Sequence, residues 1–183
     1  SRSLQKRVQL YCDMSGLEGA ASRGIIALDD LIDKTQCHCL NDSDSKPFTN
    51  LFIGDERLLC SSADDHEIMM TFTFRESVRL HSINIVAPDS DAAPRTIKLF
   101  VNRTSIGFED TDGPCEQVLT LSAADMKKER VCELKMAKFN YVNSVTVYVA
   151  ENQGAECTEI SAISFNGQPL QKMDMKEFKK VGC

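Results

Sequence analysis

Tryptophan is absent from these 183 residues, and aromatic residues of all kinds make up only 7%. Faces that hold sugars usually stack an aromatic ring on them, so a carbohydrate-binding reading rests on Tyr11, Tyr141, Tyr148 or a phenylalanine. Histidine occurs three times, as His38, His66 and His81, none of them in a recognisable catalytic motif. P-loop, G-x-G-x-x-G, G-x-S-x-G and H-E-x-x-H patterns are missing, so no catalytic residue, metal ligand or cofactor is nominated. The C-x-x-C motif of thioredoxin-type chemistry is missing as well. No apolar run approaches the roughly 20 residues that cross a bilayer, and no heptad pattern supports a coiled coil. Neither a membrane nor a helical oligomer is expected, and the chain reads as a monomer.

Positive charge is in short supply too. Lys and Arg number 21 against 27 Asp and Glu, a net charge of −6. Nucleic-acid binders cluster cations along phosphates, so that partner is not expected. The acidic residues gather in loops: Asp42 with Asp44, Asp64 with Asp65, Asp89 with Asp91, and Glu109, Asp110 and Asp112. Calcium needs six or more converging oxygens, and Lys46 stands where an EF-hand loop needs a third oxygen ligand. The loops read as solvated, with a summed field that steers basic partner surfaces.

What is present fits one globular domain. Hydrophobic residues are 42% and charged residues 26%, and a chain of this length buries roughly 70% of its unfolded surface. It begins with Ser1, not Met, as a piece of a longer chain would. The eight cysteines are Cys12, Cys37, Cys39, Cys60, Cys115, Cys132, Cys157 and Cys183. An even count permits disulfides, but such frameworks serve chains too small to build a core, so mostly free thiols in a reducing compartment are expected. Cys132 alternates with Leu134 and Met136 as a small buried hydrophobe. Cys37-His38-Cys39 is a C-x-C without a second ligand pair; Cys60 or His66 would have to complete a metal site through the fold. A thiol-redox or metal-binding protein acting through Cys37 and Cys39 is therefore one alternative reading.

Residues 1–24 read as a flexible leader or linker, and 25–183 as the domain. Ile25–Lys34 carries Ile25, Leu28, Leu31 and Ile32 at helical spacing, predicting a short amphipathic helix. From there the period is two. Alternation predicts strands over Leu51–Ile53, Glu67–Phe74, Val78–Val86, Arg95–Asn102, Glu116–Leu121, Arg130–Phe139, Tyr141–Ala150 and Cys157–Asn166. Within Val78–Val86 the phase slips by one residue, predicting a bulge near His81 and Ser82 or burial on both faces. Ser122 and Asp125 cap a turn over Ala123–Lys128. Asp174 and Glu177 form a capping box that starts a C-terminal helix at Met175. Strands without alternating helices fit an all-β antiparallel sandwich, most simply a jelly roll, with short helical segments at both ends.

Several pieces occur together in order. They are Cys39-Leu40-Asn41, then Pro94 with Ile97-Lys98-Leu99-Phe100-Val101-Asn102, then Phe108-Glu109-Asp110. Phe139-Asn140-Tyr141-Val142-Asn143-Ser144-Val145, Asn152-Gln153-Gly154, Phe165-Asn166-Gly167-Gln168-Pro169 and Met175–Val181 complete the set. From about Arg23 to Val181 the chain resembles the PITH (proteasome-interacting thioredoxin) domain family, in its thioredoxin-linked branch. The resemblance implies a galactose-binding-like jelly roll. It also implies a non-catalytic module in cytoplasm and nucleus that docks on the regulatory particle of the 26S proteasome. Any disulfide reductase activity would belong to a linked thioredoxin domain. Cys115, Cys132 and Cys157 depart from the family pattern.

For that docking role, exposed polar turns with glycine bring backbone groups to a partner, which nominates Asn152, Gln153 and Gly154. The C-terminal Lys176, Phe178, Lys179 and Lys180 are the second nomination. A small-ligand or carbohydrate-binding sandwich is the other alternative.

Overall fold

The computed structural model describes residues 24–55, 59–103 and 105–170. The strands are β1 (Ile26–Ala27), β2 (His38–Leu40), β3 (Cys60–Ser61), β4 (Ile68–Val86) and β5 (Pro94–Val101). They continue with β6 (Gln117–Thr120), β7 (Cys132–Glu133), β8 (Val142–Asn152), β9 (Glu159–Ile160) and β10 (Ala162–Pro169). Every pairing among them is antiparallel. Among the described residues no helix is long and apolar enough to cross a membrane.

β4 organises the fold because it serves two layers. Its first part, Ile68–Thr73, pairs with β8 on one side, and β2 lies along its other side. After an irregularity at Arg75–Ser77 its second part, Val78–Val86, pairs with β10 and, at Ser82 and Ile83, with β7. One layer thus runs β6-β5-β8-β4-β2 and the other β1-β10-β4-β7. The sides facing each other hold the core. Phe72 meets Phe165 edge to face with ring centroids 5.1 Å apart, and Phe74 meets the same ring at 5.8 Å. Fully burying a side chain of this size contributes roughly 1.5–3 kcal/mol.

The slip in Val78–Val86 is a bulge. Asn166 pairs with Ser82 and Gly167 with Leu80, so His81 is the extra residue. Gly167 is required there, because a Cβ on it would lie 2.1 Å from the Arg79 carbonyl oxygen.

β8 is buried on both faces. Val145, Val147 and Val149 point into the main core, while Thr146 and Tyr148 are buried on the outer face. That outer face carries a second cluster of Met69, Phe100, Ile106 and Tyr148, with Phe108 packed against it. The segment after β5 covers it: the Arg103 guanidinium lies 4.8 Å from the Phe100 ring centre and Lys98 Nζ donates to the Thr111 carbonyl at 3.0 Å.

Three local expectations are corrected. Ile25–Lys34 is not a helix: β1 pairs with Gly167 and Asn166, the Leu28 N–H donates to the Phe165 carbonyl, and only Asp29–Leu31 coils, as a single 3-10 turn. Sheet pairing supplied hydrogen bonds that a ten-residue helix could not match alone. Leu51–Ile53 is not a strand. Phe48–Phe52 forms a 3-10 helix behind Pro47, and its Phe48 and Phe52 rings stack edge to face at 5.1 Å. The strand predicted over Arg130–Phe139 stops at Glu133 and passes into turns, leaving Met136 51% exposed. The Ser122–Asp125 turn forms as expected, with Ser122 Oγ donating to Asp125 Oδ2 at 2.6 Å. The predicted C-terminal helix and nearly all of the predicted leader lie outside the described residues.

Candidate docking site

The nominated turn closes the end of β8. Gly154 has φ +131°, a backbone conformation that side chains disfavour, and this lets the chain reverse toward β9. Asn152 builds the reversal. Its Oδ1 accepts the Gly154 N–H at 3.0 Å, and its Nδ2 donates to the carbonyls of Ala155 at 2.9 Å and Cys157 at 3.1 Å. The Asn152 side chain is therefore turned inward, and Gln153 and Gly154 are the exposed members of the motif.

Two further loops are tied to this one. The Gln153 N–H donates to the Ala93 carbonyl at 3.0 Å, and that of Ala155 to Asp91 at 3.2 Å. On the other side Thr158 Oγ1 donates to the His66 carbonyl at 2.6 Å and the Thr158 N–H to Ser62 Oγ at 2.8 Å. His66 Nε2 lies 3.2 Å from the Ala150 carbonyl. Loops 61–67, 89–94 and 152–159 thus form one hydrogen-bonded platform.

Its rim is acidic. Asp64, Asp65, Asp89, Asp91, Glu151 and Glu156 are all exposed on or beside these loops. Glu159 pairs with Lys46. The sequence marked the aspartate pairs as loops, but their gathering around one turn is visible only in the fold. Glu156 was missed because a single exposed glutamate carries no pattern. Lys176, Phe178, Lys179 and Lys180 lie outside the described residues.

The thiols occupy a different setting. The fold brings Cys39 to Cys60, as the sequence allowed, and their mutual hydrogen bond, followed by burial, pushes the Cys39 thiol far up. Cys37 donates to the Asp33 carbonyl at 3.2 Å, and burial pushes its thiol up as well. Raised thiols hold little thiolate, the species that attacks disulfides or binds metals. Cys37, Cys39, Cys60, Cys115, Cys132 and Cys157 are free thiols. Among the described residues no three His, Cys, Asp or Glu side chains converge as metal ligands do.

A cleft of about 600 Å³ lies on the molecule as well, lined by Asp29, Asp30, Ile32, Phe52, Arg75 and Ile163 among others. Lys34 Nζ reaches the Phe52 carbonyl at 3.3 Å and stands 5.5 Å from that ring's centre.

Two antiparallel layers with loops gathered at one end define a galactose-binding-like β-sandwich module. The family 32 carbohydrate-binding module of Clostridium perfringens NanJ, solved with galactose, superposes with a TM-score of 0.59 at 8% identity, covering 78% of this chain and 99% of that one. An F5/8 type C domain from Bacteroides fragilis gives 0.55 at 13% identity, covering 81% and 99%. These likenesses show the fold alone. Within this class the chain belongs to the PITH domain family, whose family model matches residues 18–182. Thioredoxin-like protein 1 of Schizosaccharomyces pombe is 28% identical over 174 residues, covering 92% of this chain and 60% of that protein. PITH domain-containing protein 1 of Danio rerio is 31% identical over 144 residues, covering 75% of this chain and 67% of that protein. The chain thus spans about 60% of the length of the S. pombe relative. The PITH domain and the carbohydrate-binding-module fold are non-catalytic kinds of module.

Proposed function

We propose that this domain is a non-catalytic docking module for the regulatory particle of the 26S proteasome, working in cytoplasm and nucleus. The observation that carries the reading is the match to the PITH domain over 18–182, nearly the whole chain. The platform supports it physically. Gln153 and Gly154 stand on a hydrogen-bonded frame that loses little entropy on binding. The carboxylates around them favour a basic partner surface and fast, salt-sensitive association. Lys176, Phe178, Lys179 and Lys180 add a second contact of opposite charge. The raised thiols of Cys37 and Cys39 fit a module without redox chemistry of its own, leaving reductase activity to a linked thioredoxin domain.

Affinity capture with the folded domain, followed by mass spectrometry, tests this. Regulatory-particle subunits should be recovered by the wild-type chain and lost with Gln153→Ala plus Gly154→Val. A folded chain that recovers none, but binds a defined glycan on an array, would instead establish a sugar-binding module.

A further inference from the structure

The cleft and the C-terminal segment complement each other. Its apolar floor is made by Ile32, Leu51 and Ile163, buried members of the main core, with Phe52 partly buried and packed against that core. Ile53 beside it is 61% exposed, high for so apolar a side chain. Two adjacent carboxylates, Asp29 and Asp30, stand on the rim. The carboxyl of Asp29 is pushed up by burial and by the charge of Asp30, so a cation there relieves a real cost. Lys34 and Arg75 also line the cleft. The ammonium of Lys34 is turned onto Phe52, and the guanidinium of Arg75 feels Asp33.

Charge is divided unevenly along the chain. The described residues carry 12 Lys and Arg against 22 Asp and Glu, a net −10. Residues 171–183 carry Lys172, Lys176, Lys179 and Lys180 against Asp174 and Glu177, a net +2. Phe178 is the only aromatic residue of that segment and sits among its lysines. The segment also starts close by. The Leu170 N–H donates to the Ser77 carbonyl at 2.8 Å, and Ser77 lies two residues beyond the cleft residue Arg75. The eight residues from Leu170 to Phe178 reach roughly 26–29 Å when extended.

We propose that the C-terminal segment 171–183 of the same chain occupies this cleft, with Phe178 on the Ile32–Phe52 floor and the flanking lysines on Asp29 and Asp30. The inference is independent of proteasome docking. Should both hold, a partner that takes the segment empties the cleft, and the domain gains a self-occupied and a released state.

Backbone NMR on the 183-residue chain and on a chain ended after Leu170 tests this. Ending the chain should move the amide resonances of Ile32, Phe52, Gly54 and Ile163 while those of Gln153 to Cys157 stay, which also shows that the fold persists. A synthetic 171–183 peptide should move them back. In the full chain Phe178→Ala should reproduce most of the shift, and Asp29→Asn with Asp30→Asn part of it. Raising salt from about 0.01 M to about 1 M, which cuts the Debye length from about 30 Å to about 3 Å, should do the same. The shift should not depend on protein concentration. Cleft resonances identical with and without the segment would overturn the proposal, as would a shift that fades on dilution, which assigns the cleft to a second copy's segment.

Discussion

The turn platform and the cleft are both surface features, yet they are built in opposite ways. In the platform, polar groups are spent on the fold itself: Asn152 alone ties three backbone groups, and Thr158 ties two loops. What it offers outward is a fixed backbone and a ring of carboxylates. In the cleft, core residues come to the surface, and Ile32, Leu51 and Ile163 line an open space. Such a space accepts a side chain. On the reading proposed above, a partner would meet the platform through charge and shape, and a cleft occupant would be held by apolar burial.

Phe72→Ala should have the largest effect. The ring touches Phe48, Phe52 and Phe165, and its loss should cost about 3–5 kcal/mol by chemical denaturation. If platform and cleft belong to one cooperative unit, both should melt at the same lowered midpoint. Separate transitions would make them independent.

Asn152→Ala should come next, at about 1–3 kcal/mol, because it strands the Ala155 and Cys157 carbonyls. Its resonance changes should stay within loops 61–67, 89–94 and 152–159 and spare the cleft. Gly154→Ala should cost about 1 kcal/mol through its positive φ alone, measured the same way. Gln153→Ala should move stability by less than about 0.5 kcal/mol, since its side-chain contacts are long at 3.3 and 3.4 Å. That substitution should nevertheless weaken partner binding, which separates presentation from folding.

Asp29→Asn sharpens the cleft side. The folded state holds this carboxyl above its ordinary value, so the charged form costs stability. The cost is absent below the unfolded pKa near 3.9 and grows as pH rises through the folded one. In the chain ended after Leu170, where no lysine of the C-terminal segment offsets this cost, the variant should melt slightly higher than its parent at pH 7, with no difference near pH 2. An equal gain at both pH values would remove the electrostatic account of Asp29.

Much of the sandwich was legible because period-two patterns name half-buried strands, as in β5 and β6. β8 read as alternating too, although Thr146 and Tyr148 are as buried as its valines. The covering segment 102–116 comes from elsewhere in the sequence, so local pattern could not show it. Ile25–Lys34 reads as a helix because the strand β1 depends on β10, far along the chain. The bulge at His81 was visible, since one extra residue inverts the phase of everything after it. At the site, glycine and asparagine marked the turn. The inward aim of Asn152 and the gathered carboxylates followed only from three loops meeting at one end.

The proposed docking of the folded domain on the proteasome through its acidic platform is open to direct test. The direct measurement is equilibrium binding of this chain to purified 26S proteasome across a salt series. The account predicts saturable binding that weakens as salt rises and is lost with Gln153→Ala plus Gly154→Val. A folded chain that shows no binding at low salt, or binding that the double variant leaves untouched, would contradict it.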